Sequence, residues 1–529
     1  MKKTIISTGL LLFLVAFISV SAQVKTNLNN TDKITVKGKF NKAYKTEVDF
    51  EMPARNLKDL LEKEINDYAS TNDDKPFRLA TPVPVDIDIA TLANWSTDGE
   101  FDYGKFSIRL KGALSSSINF DKFILPANSE MYIYNENGNM ITGPITEKEN
   151  NPNYIWGSWV YQGEYLNIVL QIPKSEVGQT MLRISQVGFG FMKIGGGFFG
   201  NPGASATCNI NVLCAQGNGW QNERNSVALI VSSENEICTG TLIMNTCGTN
   251  RPYLLTANHC LNGNVQNWVF QFQTWSSTCI PNGTFREDLQ FNGCQLRANN
   301  AATDFALLEL NQTPATNSGI TYSGWNRNAN AATRTTSLHH PMGDVMKVCN
   351  DFAPPVPVSW ITGPANYWRA AFDEGIVQFG SSGAALFDQN NRIVGQLFGN
   401  QVNSCFGATD NNVCWCTTQI PSVGEYGRFD VSWTGGGTDA TQLSNWLDPT
   451  GTGALTTNTS NISNLPPPVN SGLYSISGSR TICNSVIYSI TPALPPNTSV
   501  VWSVNNSSFV VAQNTPATNQ GTVTVQGNA

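Results

Sequence analysis

The chain has 529 residues, room for roughly three or four domains at about 150 residues each. Its 32 Lys and Arg against 39 Asp and Glu give a net charge of −7, and charged residues make up 13%, about half the usual share of roughly 25%. That balance excludes a nucleic-acid surface built on excess positive charge. Past the N-terminus no segment approaches the about 18 unbroken apolar residues of a membrane span.

The chain opens with Met1-Lys2-Lys3, runs through an apolar stretch from Leu10 to Val20 and reaches Ser21-Ala22 before Gln23. A basic start, a short apolar run and small residues at its end read as a secretory signal peptide, 1–22. A secreted, extracellular protein is expected, and association with a cell surface stays open. The twelve cysteines agree with export. None precedes Cys208, eleven fall between Cys208 and Cys416, and Cys483 stands alone. In an oxidising compartment the middle block reads as a disulfide-bonded domain. Zinc is the weaker reading, since Cys414-Trp415-Cys416 lacks a CxxC partner and the chain holds only three histidines.

From Asn56 to Ser70, Leu57, Leu60, Leu61, Ile65 and Tyr68 fall at helical spacing, which predicts a helix. Alternating runs follow at Lys105 to Leu114, Glu130 to Asn135 and Leu166 to Ile172, separated by Asn, Gly and Pro turns; a cysteine-free β-sandwich of its own is expected over about 80–190. The glycine-rich segment Gly195 to Gly203 marks a boundary and a site open to proteolysis, so the N-terminal region is expected to be removed.

The middle block is strand-rich: Asn267 to Trp275 alternates Trp268, Phe270 and Phe272 with Val269, Gln271 and Gln273, while Arg251 to Thr256 and Phe305 to Leu310 are short apolar runs that read as buried barrel strands. A helix is expected from Thr438 to Pro449, where Leu443, Trp446 and Leu447 share a face behind a Thr438/Asp439 cap. Residues 456–471, with Pro466 to Pro468, read as a linker. Beyond it, strands near Tyr474 to Ile476, Val486 to Ile490 and Val500 to Val504, with Trp502 inside, resemble the start of an immunoglobulin-like or PKD-like module at 472–529, shorter than the about 100 residues such a sandwich uses.

Gln378 to Gly399 reads as a Gly380-Ser381-Ser382-Gly383 loop, a strand from Ala384 to Phe387, a polar turn, and a second strand from Ile393 to Phe398. Alone this is an ordinary hairpin. His259 ends an apolar strand in Leu254-Leu255-Thr256-Ala257-Asn258-His259-Cys260, and Asp304 begins one in Thr303-Asp304-Phe305-Ala306-Leu307-Leu308. Alone, a loop histidine is commonly a surface residue and an aspartate before a strand a turn former. Together, in the order His, Asp, Ser, they supply base, orienting carboxylate and nucleophile, each at a strand end where loops can share a cleft.

Thr239-Gly240-Thr241-Leu242, TANHC, TDFALLELN, LHHP (Leu338 to Pro341), GSSG, GQLFG and SWTGGG (Ser432 to Gly437), ahead of WLDP, resemble in order the bacterial lysyl endopeptidases, a branch of the chymotrypsin-like serine peptidases. The resemblance runs from about Cys208 to Leu455 and implies a mostly β chain. It would hold a chymotrypsin-like double β-barrel peptidase domain at 201–455, an N-terminal β-rich prosegment at 23–200 and the partial C-terminal sandwich. It implies Ser382 as nucleophile, His259 as base, Asp304 as its orienting partner, the N–H groups of Gly380 and Ser382 as oxyanion hole, and the strand Gln396 to Asn400 against substrate backbone. It also implies pairs Cys208–Cys405, Cys214–Cys279 and Cys238–Cys260; Cys247, Cys294, Cys349, Cys414 and Cys416 are left unassigned. Protein or peptide substrates and the chain's own prosegment are the expected partners, the expected state is a monomer, and neither metal nor organic cofactor is required.

The chain shares one departure from the wider chymotrypsin-like pattern with the lysyl endopeptidases, at Ser381, and departs from the lysyl endopeptidases themselves elsewhere, Asn258 and Ala384-Ala385 being minor differences. Ser381 stands where most chymotrypsin-like enzymes carry the aspartate that receives a new N-terminus. Gly424-Glu425 precedes Tyr426-Gly427-Arg428, where the lysyl endopeptidases place an aspartate two residues before the tyrosine. Phe398 replaces a histidine beside Trp360. An insertion with Cys414 and Cys416 rebuilds the pocket wall. Substrate contacts are therefore expected at Trp360, Phe398, Gly399, Gly424 and Glu425, with lysine selectivity through Glu425 or Asp410 left open. His339 and His340 are read as structural. The rival reading is a protease-like binding or adhesion protein without activity, whose usual mark is a missing triad residue. An esterase would need a GxSxG elbow, which Ser382 lacks.

Overall fold

The computed structural model describes residues 26–27, 48–69, 76–192, 205–280, 289–330, 332–360, 363–399 and 422–465, and four strands beyond them. The signal-peptide segment, Gly195 to Gly203 and Trp502 lie outside the described residues, as does 400–421 with Cys405, Asp410, Cys414 and Cys416. The chain divides into two compact units, Met1–Pro466 and Pro467–Ala529.

The first unit begins with the helix Leu57–Ala69, capped at its start by Asn56, whose Oδ1 accepts from Lys58 N at 3.1 Å. A sandwich follows. One sheet orders Ile141–Ile145, Glu130–Asn135, Tyr165–Pro173, Phe101–Leu110 and Phe50–Met52; the other orders Trp156–Gly157, Ser115–Ile124, Met181–Gly190 and Ala80–Asp88. Alternation explains the packing: Phe106, Ile108 and Leu110 point inward with Ile133, Ile168 and Leu170 against Ile118, Phe120 and Val187. The strand expected to reach Leu114 stops at Leu110, because Gly112 turns the chain at φ +78° into the next strand.

Two further sheets of eight strands each form the double barrel. The first orders Gln290–Asn292, Val269–Phe272, Val227–Val231, Glu236–Leu242, Tyr253–Ala257, Phe305–Leu310 and Cys294–Asn300. The second orders Ile210–Asn211, Lys347–Asp351, Thr335–His339, Ala385–Phe387, Ile393–Gly399, Ser422–Arg428, Tyr367–Phe372 and Val356–Val358. The eighth strand of the first barrel comes from the N-terminal region: Phe77–Arg78 pairs antiparallel with Glu236–Ile237.

The sandwich is therefore not self-contained. Leu229, Val231, Ile237 and Val269 of the first barrel lie in its apolar core, and Asn292 Nδ2 donates to Gly157 O at 2.6 Å. This second covered face also explains why every residue of Val269–Phe272 is buried although its pattern alternates.

The C-terminal end of the barrels differs from the sequence reading. The expected helix from Thr438 to Pro449 is one helical turn, Ser444–Leu447, and a separate helix, Phe429–Thr434, precedes it. Leu443 and Leu447 are fully buried, so the apolar face is real but short. The first part of the expected linker is folded: Ser460–Asn461 pairs with Thr321–Tyr322, and Ile462 and Leu465 enter the core of the first barrel. Two apolar residues in a Thr- and Asn-rich stretch suffice for this. The second unit holds an antiparallel sheet ordered Ser475–Ser477, Ser485–Thr491, Gln520–Val525 and Phe509–Ala512.

Candidate active site

Strands Tyr253–Ala257 and Phe305–Leu310 are antiparallel neighbours with Ala257 opposite Phe305, so the residues just beyond these ends meet. The first strand runs into a single 3-10 turn, Asn258–Cys260, which carries His259. Asp304 stands at φ +54°, in the left-handed region that Asp tolerates better than most residues, and its carbonyl accepts from Asn258 N at 2.7 Å. Its carboxylate then turns onto His259. Oδ1 accepts from the His259 backbone N–H at 2.8 Å, and Oδ2 lies 2.7 Å from ring Nδ1. Both side chains are nearly buried.

Ser382 lies between two glycines that the backbone requires. Gly380 is at φ +86° and Gly383 at +84°; a Cβ on Gly383 would fall 2.2 Å from Thr256 Oγ1 and 2.4 Å from Thr239 O. Thr239 holds the loop from below: its N–H donates to Ser382 O at 2.8 Å, its hydroxyl donates to Gly380 O at 2.8 Å, and that hydroxyl also accepts from His340 N at 3.1 Å. The Cys238–Cys260 disulfide ties the same strand to the residue after His259. The nucleophile loop and the histidine turn thus share a single supporting strand at a place where the two barrels meet. Thr239 stood in the sequence only as part of a short motif, and its role is visible only in space.

Ser381 is fully buried. Its hydroxyl lies 2.7 Å from His339 Nδ1 and accepts from Gln378 N at 3.3 Å. His339 and His340 are also fully buried, and burial, helped by the nearby Lys347 charge, lowers their pKa values to about 3 and about 4. Both are neutral at pH 7. His340 Nδ1 lies 2.9 Å from Asp344 O, within hydrogen-bonding distance. Among the described residues no group of three or more His, Cys, Asp or Glu is gathered as metal ligands are.

The aromatic residues expected near the substrate come together. Phe398 lies edge-on to Trp360 at 4.1 Å between ring centroids, 5.5 Å from the His259 ring and 5.6 Å from Tyr367. It sits at a register shift between Leu397 and Gly399, where Gly399 pairs with Glu425.

Glu425 does not stand where an aspartate two residues before Tyr426 would stand. Side chains alternate along a strand, so a one-residue shift moves the carboxylate to the opposite face. Glu425 is fully buried and bound to Arg369, whose Nε lies 2.8 Å from Oε1. On the other face, a Cβ on Gly424 would meet Tyr426, Leu397 and Phe372, all apolar contacts. Arg369 was not foreseen; its signal is the one basic residue within the apolar strand Tyr367–Phe372.

Cys214 is bonded to Cys279 and Cys238 to Cys260. The partner expected for Cys208, Cys405, lies outside the described residues. Cys247, Cys294 and Cys349 are free thiols, the last two buried.

Residues 202–413 match the family model of the lysyl endopeptidase C-terminal domain. A lysyl endopeptidase of Pseudomonas aeruginosa is 26% identical over 344 residues, covering 61% of this chain and 73% of that protein. The chain is similar to the lysyl endopeptidases.

Among solved structures, the HtrA-type protease AlgW with a tripeptide matches with a TM-score of 0.27 at 16% identity, over 40% of this chain and 60% of that one. The serine endoprotease from Yersinia pestis matches with a TM-score of 0.27 at 15% identity, over 41% and 63%. The chain spans less than two thirds of the length of either structure. The family-model match, 202–413, includes His259, Asp304 and Ser382 and ends before the strand Ser422–Arg428 that carries Gly424 and Glu425.

Proposed function

We propose that the protein is an exported serine endopeptidase, made as a precursor whose N-terminal region covers the peptidase domain and is removed on maturation. The observation that carries the reading is the His259–Asp304 pair, 2.7 Å apart, on the strand system that also holds the Ser382 loop. Asp304 fixes the proton of His259 on Nδ1 and leaves Nε2 as the base. Ser382 attacks the scissile carbonyl and gives its proton to His259, which passes it to the leaving amine; the amides of Gly380 and Ser382 receive the oxyanion. One oxyanion donor of this kind is typically worth about 2.7–4 kcal/mol of barrier lowering. No metal or organic cofactor enters any step. Two disulfides suit an oxidising compartment, and no helix among the described residues is long and apolar enough to cross a membrane.

The side chain on the acyl side of the cleaved bond is the least family-like element. Glu425 already binds Arg369, and the face carrying Gly424 is apolar. A lysine ammonium there would lose its hydration without gaining a carboxylate. We therefore infer an uncharged or aromatic preference there. A serine-directed organophosphorus reagent tests the mechanism: it should label matured protein at Ser382 and leave Ser382→Ala unlabelled, and equal labelling of both would overturn the reading.

A further inference from the structure

One edge of the strand Glu236–Leu242 has three successive occupants. Thr241 and Leu242 pair with Leu255 and Leu254, Thr239 holds Ser382 O, and Ile237 and Glu236 pair with Phe77 and Arg78. The N-terminal strand therefore continues the edge on which the nucleophile loop rests. Its direction is fixed by the pairing: Phe77 faces Ile237, the nearer residue to Thr239, and Arg78 faces Glu236, the farther one. The Phe77 ring stacks on Phe379, the residue before Gly380, at 5.6 Å. A polypeptide lying in this place has its N-terminal end toward Ser382. That is the orientation of the leaving half of a substrate.

Glu236 is built to hold a cation there. It is 2% exposed, and Oε1 accepts from Arg78 Nη2 at 3.1 Å and from Asn262 Nδ2 at 2.8 Å, while Oε2 accepts from Ser232 Oγ at 3.3 Å. Asn262 and Ser232 fix the carboxylate from within the barrel. Arg78 is held in turn by Glu64, on the helix of its own N-terminal region, with Nη1 to Oε2 at 3.7 Å. When that region leaves, Arg78 and Glu64 leave together and Glu236 keeps its setting but loses its cation. The carboxylate is then open to solvent but still fixed in place by Asn262 and Ser232, and a substrate cation in the position Arg78 leaves can remake the charge-assisted hydrogen bond.

We propose that this edge is a substrate site for the leaving half of the peptide and that Glu236 selects an Arg or Lys there, at about the second or third residue past the cleaved bond given the ~3.3 Å rise per strand residue. Phe77-Arg78 is the internal occupant that marks the site in the precursor. The proposal rests on the peptidase reading and on removal of the N-terminal region.

The test is competitive cleavage by the matured protein of peptide pairs identical up to the cleaved bond, carrying Arg or Gln at the second and third positions after it. The expected result is roughly tenfold faster cleavage of the Arg peptide, the order that a charge-assisted hydrogen bond carries, falling to near parity in Glu236→Gln. Because both peptides compete in one tube, the ratio does not depend on how much of the variant folds. Free Pro-Phe-Arg-Leu should also inhibit more strongly than Pro-Phe-Gln-Leu, a comparison that needs no variant. Equal cleavage of both peptides, serine-dependent in each, overturns the site and leaves the peptidase standing. Absence of any Ser382-dependent cleavage overturns the peptidase reading and the site with it.

Discussion

Asp304 gives both carboxylate oxygens to one residue: Oδ1 to the backbone N–H of His259 at 2.8 Å and Oδ2 to its ring Nδ1 at 2.7 Å. The first bond fixes the turn and the second fixes the ring, so the same carboxylate places the base and sets its tautomer. Asp304→Asn separates these tasks. Asparagine also tolerates the left-handed backbone at this position, so the fold should survive, while one oxygen becomes a donor aimed at the wrong tautomer. Peptidase kcat should fall by about 10⁴ with the unfolding temperature nearly unchanged. A loss below tenfold would separate this aspartate from the chemistry.

Thr239 offers a finer test. Its hydroxyl joins Gly380 O to His340 N, and Thr239→Val keeps the shape while removing both bonds. The Ser382 loop should lose register at the reacting atoms, lowering kcat by about 10- to 100-fold with little change in KM. A rise in KM at constant kcat would assign Thr239 to substrate binding instead.

His339 and His340 predict an acid limb of stability. Unfolded, each binds a proton near pH 6.5; folded, burial holds them to about 3 and about 4. Between these values the unfolded chain holds more protons, so their contribution is complete above about pH 6.5 and is lost as pH falls toward 4. The slope should be roughly 1 kcal/mol per pH unit for each histidine. Denaturant unfolding across pH 4–7 measures it, and His339→Gln should flatten it by half.

Glu149 acts with the opposite sign. Burial raises its pKa to about 7, and Gln312 Nε2 of the first barrel donates to it at 2.7 Å. Folded, it keeps a proton that the unfolded chain has given up, so its neutral form favours the folded chain at low pH and its ionisation destabilises the folded chain as pH rises from about 4.5 to 7. Glu149→Gln in the full chain should raise the unfolding temperature at pH 8 and leave it unchanged at pH 4. The same gain at both values would make packing, not charge, the cause.

The candidate residues were read from local patterns, an apolar strand ending in His259, another beginning after Asp304, and a serine between glycines, and strand pairing accounts for the His259–Asp304 contact. The sandwich was legible from alternation at Phe106 and Ile168. What the sequence concealed is long-range. Nothing local marks Arg369 as the partner of Glu425, Phe77-Arg78 as a strand of a barrel more than 150 residues away, or Thr239 as the support of Ser382. The folded start of the expected linker was missed because its apolar signal is two residues, Ile462 and Leu465.

The most direct measurement is a mass-spectrometric cleavage profile of denatured proteins digested by the matured protein, beside a Ser382→Ala control. The account predicts cuts that vanish in the control, follow uncharged or aromatic residues rather than lysine alone, and carry Arg or Lys enriched two or three residues beyond the cut. Cuts that persist in the control, or no cuts from correctly matured protein, would contradict it.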